Sequence, residues 1–389
     1  MSETPGALEH DFTPDVEDVH ASAPGRRPRI EGLTRGQWAT AAVVTVLVVW
    51  AVWAFCVDGT LMVALLGSGV AQGAIVALAA LGFLMIQKAT GIANFAQGDL
   101  ITLGAFLAFW ATDHTGIAKD GLGLTLGVGL LLTLVLMFFI GVGIERVAYA
   151  PLRGRDMHVV VIATLGIALI IRTLIGIWQG STPRYLQSWF TPGQSLQNFL
   201  FFKDGVLRIN IGFLGVHDAV ISAQRVVVIV VTAVVVLGIM LLFSRTSFGR
   251  QVRAIAADRE TARLYGVRAN TMSMLAFGIS AALAGLAGIL IGPLGSFDLS
   301  LGFSYMLLGF AAAVLGGFGS IGGVVVGALM IGLTEQLFGG AMLPLFVQKV
   351  LHGDPLVVLK YRSVFPYVLM LIVIAVKPQG IFGRAGKRL

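Results

Sequence analysis

The chain has 389 residues, of which 57% are apolar and only 12% charged, with a net charge of +7 and a single cysteine. A soluble domain covers itself with about 25% charged residues, so most of this surface is built to meet lipid. One cysteine excludes an internal disulfide framework. The basic residues gather in short loops between apolar runs, the positive-inside pattern of a membrane protein, so no nucleic-acid partner is expected. The apolar runs are continuous over lengths near the roughly 20 residues of a spanning helix, where a barrel strand would alternate over about 10. The fold class is therefore all-α, a polytopic transmembrane helical bundle of about ten hydrophobic segments, roughly eight to ten of them spans, with a short cytoplasmic helix.

Residues 1–38 mix acids (Glu3, Glu9, Asp11) with Arg26, Arg27, Arg29 and Arg35 around Pro24 and Pro28, the composition of a disordered cytoplasmic tail. Ala39–Val57 is a first, retained span. Cys56 within it is read as a buried small hydrophobe. Leu61–Ile86 and Leu100–Thr112 follow, divided by Gly91, Asn94, Gln97, Gly98 and Asp99. Polar groups at membrane depth are costly unless they pair or line a cavity, and Gly-broken helices present backbone ends to substrate in transporters. Asn94, Gln97 and Asp99 are therefore candidates to line a translocation path. The competing reading is an interfacial loop in which Asp99 caps the next helix.

Gly121–Ile144, Val159–Trp178, Val220–Phe243 and Met272–Leu294 are the next spans. The external stretch Gln179–Ala219 holds Trp189, Phe190, Phe199, Phe201 and Phe202, aromatics suited to an interfacial cap. Tyr305–Phe318 and Ile321–Leu337 are a Gly-rich pair, two spans or one re-entrant element, joined through Gly316, Gly317 and Gly319. That junction reads as close helix packing or as a gate on the path. Val364–Val376 is the last span, extended at its start, and a basic tail, 384–389, ends the chain. Arg172 and Glu335 are the clearest charges inside apolar runs, candidates to pair with each other or to face the pore. Placing both termini and the loops Glu145–His158 and Ser244–Thr271 in the cytoplasm satisfies ten crossings. Phe338–Ser363 is then an external loop despite Lys349, Lys360 and Arg362.

The large cytoplasmic loop is the most informative stretch. Helix formers run from Arg250 to Tyr265, bracketed by Gly249 and Gly266, the latter a C-terminal stop. At 3.6 residues per turn, Arg250, Arg253, Ala254, Ala257 and Thr261 share one side, with Val252, Ile255 and Ala262 roughly opposite. A small, basic face suits docking in another protein's groove, although an ordinary positive-inside loop would look similar.

The residues Gly249, Arg250, Arg253, Ala254, Ala256, Asp258, Ala262, Gly266 and Val267 resemble the coupling loop of permeases from the branched-chain amino-acid class of ABC importers. Asn94–Asp99 is similar to that family's N-F-A-H-G-E segment, with Gln97 where His is common and Asp99 where Glu is common. Ile144–Arg153 resembles its I-E-R-x-x-Y-R-P-L-R loop, Ala313–Gly323 its A-x-x-G-G-x-G-S-x-x-G run and Pro378–Gly383 its P-x-G-I/L-x-G ending. The resemblance covers Leu61 to Gly383, and 1–57 add a tail and a helix. It implies a permease domain over 58–383, two ATPase subunits docked on the Arg250–Tyr265 helix, a second related permease and an extracytoplasmic solute-binding protein. The implied solute is small and polar: a branched-chain amino acid, urea or a short amide.

No G-x-x-x-x-G-K-[S/T] phosphate loop occurs, so no cofactor is expected on this chain, and ATP with Mg would sit on the ATPase subunits. No His/Cys cluster has metal-ligand spacing, and no catalytic constellation can be picked out. The rival reading is a stand-alone ion-coupled transporter, which would want several acids or histidines inside its spans.

Overall fold

The structure is a computed structural model that describes residues 52–114, 123–186, 206–211, 216–377 and 380–382. The N-terminal tail, the basic C-terminal tail and most of the first span and of the aromatic external stretch lie outside the described residues. Residues 52–57 are helical. Cys56 is exposed there and not buried as its size suggested, because Trp53 and Ala54 take the inward face.

Helix α1, Gly59–Thr90, is the axis of the bundle, with 89% of its apolar stretch buried. Asp58 caps its start by accepting from the Leu61 N–H at 2.9 Å. Gly91 ends it in the left-handed conformation, φ 79°, which glycine alone adopts without strain. Around α1 stand α2 (Gln97–His114), α3 (Gly123–Ile144) and α4 (Met157–Gln179). Then come α5 (Ala223–Arg245), the short cytoplasmic-loop helices α6 (Ser247–Ala257) and α7 (Arg259–Leu264), and α8 (Ala269–Ile291). The chain ends with α9 (Leu301–Gly316), α10 (Ile321–Leu333), α11 (Leu343–Lys349), α12 (Pro355–Leu359) and α13 (Phe365–Val376). Among the described residues, six helices are long and apolar enough to cross a membrane, and α9 and α13 are shorter apolar helices. The lipid-length helices α3, α4 and α5 bury only 22–28% of their apolar stretches. Leu131, Phe139, Ile162, Leu169, Val234 and Leu237 point outward from them, as helices facing lipid or another membrane subunit must.

Glycine lets the inner helices touch backbone to backbone, the packing mode of membrane helices. A methyl on Gly302 would fall inside the Gly98 carbonyl, and one on Gly104 would collide with the Gly285 backbone. Gly302→Leu is expected to destabilise the protein by at least about 1–3 kcal/mol, the usual cost of overpacking. Gly143→Ala, which meets nothing within 4 Å, should be neutral. Thermal unfolding of the two variants in detergent checks this.

Several sequence boundaries move. Val220 to Ser222 belong to a β-hairpin, Val206–Ile211 with Val216–Ser222, so α5 begins at Ala223 and not at Val220. Burial alternates there, with Ala219 and Ile221 inward and Val220 exposed, as a strand requires. Phe338–Ser363 is not simply a loop. A π-helix, Thr334–Met342, carries α10 on into α11, because Met342 and Leu345 bury with Ala54 and Met62. The Arg250–Tyr265 helix is two helices: at Asp258 the backbone is extended (φ −156°, ψ 114°).

Candidate functional site

The loop between α5 and α8 folds against the bundle by one face. Gly249, Val252 and Ile255 are buried, as is Ala262 on α7, whereas Arg250, Arg253, Ala254, Ala257, Asp258 and Thr261 are exposed. The 3.6-residue periodicity thus separated the two faces correctly. Gly249 is a packing residue, because a methyl there would collide with the Phe243 carbonyl. Arg253, although exposed, donates to that same carbonyl and so closes the C-terminal end of α5. The Thr246 hydroxyl accepts from the Gly249 N–H at 3.3 Å and starts α6. Asp258 starts α7 by accepting from the Glu260 and Thr261 N–H groups at 2.9 and 3.1 Å and from the Thr261 hydroxyl at 2.5 Å. Those bonds hold the Asp258 carboxyl below the usual carboxylate range, so the cap persists at neutral pH and is lost only as acid protonates it. Gly266 stops the loop helix at φ 81°, as its position suggested.

Within the bundle, the Asn94–Asp99 turn is almost fully enclosed. The Gln97 side chain occupies the space that a side chain on Gly82 would need; its Nε2 donates to the Ser280 carbonyl at 3.2 Å. The Ser280 hydroxyl lies 2.8 Å from both Gln97 Oε1 and the Gly82 carbonyl. Asn94 Oδ1 accepts from the Ala96 N–H at 3.0 Å, and its Nδ2 is buried with no partner among the described residues. Asp99 binds Arg172 of α4, with Nε donating at 2.8 Å and a second guanidinium nitrogen at 3.3 Å. Arg172 therefore pairs with Asp99 and not with Glu335, and the Asp99 carboxylate serves that pair and not the start of α2.

Gly316, Gly317 and Gly319 join α9 to α10. Gly316 and Gly323 approach backbone to backbone, Gly317 turns at φ 85°, and exposed Gly319 accepts from Lys88 Nζ at 3.1 Å. Tyr305–Phe318 and Ile321–Leu337 are thus two helices in tight contact. The Ile381 and Phe382 N–H groups donate to the Leu315 and Gly316 carbonyls at 2.8 and 3.3 Å, so the chain's end clamps this junction.

A cavity of about 450 Å³ opens between α1, α9, the π-helix and the starts of α5 and α13. Its polar lining includes Gln72, Arg225, Tyr305, Glu335, Arg362 and Ser363. Tyr305 Oη donates to Gln72 Oε1 at 3.3 Å, and Glu335 accepts from Gln72 Nε2 at 3.5 Å and Ser363 Oγ at 3.4 Å.

Residues 65–374 match the family described as "Branched-chain amino acid transport system / permease component". The chain belongs to this family. The permease is 32% identical over 319 residues to the high-affinity branched-chain amino acid transport system permease protein BraD of Pseudomonas aeruginosa, covering 82% of this chain and 94% of the relative. It is 30% identical over 319 residues to the corresponding protein LivH of Escherichia coli, with the same coverage. It is a multi-pass membrane permease of an ABC importer, which sets aside the stand-alone secondary transporter. The polar cavity is only partly legible in the sequence: Glu335 stands out as a charge in an apolar run, whereas Gln72, Tyr305, Arg225 and Arg362 come from separate segments and carry no common spacing.

Proposed function

We propose that the permease forms one half of the translocation path of an ATP-driven importer for branched-chain amino acids, the solute class in its relatives' names. A second, related permease supplies the other half, two ATPase subunits that hold ATP and Mg dock on α6 and α7, and an extracytoplasmic binding protein delivers solute. Both termini and the α6–α7 loop face the cytoplasm. Closure of the ATPases on nucleotide pushes α6 and biases the bundle between two access states. The observation that carries this reading is the exposed, small-residue face of α6, Ala254 and Ala257, held by buried Val252 and Ile255 on the opposite side. In that setting Asn94, Gln97 and Asp99 fix the packing of α2 beside the path, and the Gly316–Gly319 junction fixes α9 against α10.

Purification of the tagged chain in mild detergent, with mass spectrometry of what accompanies it, tests the assembly. ATPase subunits and a second permease are expected. A chain that purifies alone and still transports refutes it. Reconstituted with its binding protein, the complex should take up L-leucine only with ATP.

A further inference from the structure

The cavity beside the π-helix holds opposite charges that the fold leaves apart. Glu335 is 5% exposed, yet among the described residues its oxygens accept only the two long hydrogen bonds from Gln72 and Ser363. It has no ion pair among the described residues, although a buried carboxylate ordinarily demands one. Arg362 stands next to Ser363, and Arg225 reaches the same space from the start of α5; neither guanidinium has a hydrogen bond or ion pair among the described residues. Ala71, Ile291, Leu294 and Leu308 give one stretch of the wall an aliphatic surface, beside the polar Ser68, Ser304 and Gln336. The volume lies within the roughly 300–1,000 Å³ of small-ligand sites. A π-turn places Glu335 here, and such turns concentrate at functional positions.

The charge set selects its ligand. A bare cation would meet two guanidinium groups, a bare anion would meet Glu335, and a neutral amide would leave all three charges unpaired. We propose that this cavity binds a zwitterionic aliphatic α-amino acid, with the ammonium on Glu335, the carboxylate between Arg225 and Arg362, and the side chain on the Leu294–Leu308 wall. The ammonium supplies the donors that Glu335 lacks, and each guanidinium can grip a carboxylate with two parallel bonds. The inference deepens the importer reading and rests on it.

The test uses the permease–ATPase complex in detergent, without binding protein, titrated calorimetrically with L-leucine, L-leucinamide and 4-methylpentanoate. The native complex should prefer L-leucine to both truncated probes. Glu335→Gln should weaken L-leucine by roughly tenfold or more, the worth of one charge-assisted hydrogen bond, and leave 4-methylpentanoate, which it no longer repels, bound at least as tightly as before. Arg225→Gln with Arg362→Gln should weaken L-leucine and 4-methylpentanoate and spare L-leucinamide. Equal affinity for the three probes, no binding of L-leucine, or native L-leucine affinity in Glu335→Gln overturns the proposal. If Glu335→Gln fails to assemble, Arg362→Gln alone decides, since Arg362 is exposed: unchanged L-leucine affinity there refutes the site. Co-purification separates the two failures. ATPases present with indistinguishable probes sink only the amino-acid site, and ATPases absent from the native chain sink the importer reading and the site with it.

Discussion

Glutamate at Ala254 or Ala257 is expected to strip the ATPase subunits from the permease while leaving it folded in the membrane. Both alanines are exposed on α6, so a longer side chain can extend into solvent, and the buried anchors Gly249, Val252 and Ile255 stay in place. In the docked complex the same position is closed off, and glutamate adds bulk together with a charge that loses its water. A buried, unmatched charge at an interface costs about 2–5 kcal/mol, which is roughly 30-fold or more in affinity. ATP-driven uptake should fall at least in proportion. Ala254→Ser, similar in size, should be tolerated. Arg253→Ala should behave differently from both, because Arg253 holds the Phe243 carbonyl: its loss loosens the α5–α6 corner and lowers thermal stability even before partners bind. The readout is the ATPase recovered per permease, beside the melting temperature of the purified chain. Full ATPase recovery with Ala257→Glu would show that α6 docks by another face.

The two faces of α6 were legible in the sequence because helical periodicity is local, and a buried stripe of Val252 and Ile255 with small and charged residues opposite needs no knowledge of the rest of the chain. The break at Asp258 was legible in principle. An aspartate followed by Glu260 and Thr261 is a strong helix start, but continuous helix formers on both sides hid it. The spans followed from the lack of charge. Their ends shifted where tertiary contact intervened, as when Met342 and Leu345 drew an expected loop into helix. The polar centre was much less legible. Gln97 needed both a glycine at 82 to leave room and Ser280 to bond it, and those residues lie on two other helices. Nothing in one sequence sets distances between helices. The cavity shows the same limit: Glu335 was conspicuous alone, and only the fold brought Arg225 and Arg362 to it.

The same reasoning makes the Asp99–Arg172 pair the other sensitive point, with an asymmetry that a surface ion pair would lack. Asp99 has 4% of its side chain exposed and Arg172 33%. Arg172→Leu leaves a carboxylate enclosed with no counter-ion, the situation in which breaking a buried pair costs about 3–5 kcal/mol. Asp99→Asn leaves an arginine whose long stem can carry its head toward the more polar boundary, and whose guanidinium stays near the Phe303 ring, 5.9 Å from its centroid. Its cost should be smaller, about 1–3 kcal/mol, since the asparagine carbonyl still accepts one bond. Replacing both, Asp99→Leu with Arg172→Leu, removes the desolvated charges together and should recover most of the stability lost in Arg172→Leu, as apolar replacements of buried pairs do. Unfolding in mixed micelles for the two single variants and the double gives the order directly. A double variant no more stable than Arg172→Leu would mean that the pair sets helix geometry through its two hydrogen bonds and not through charge. An Arg172→Leu protein as stable as the native one would mean that Asp99 reaches water or protonates without cost.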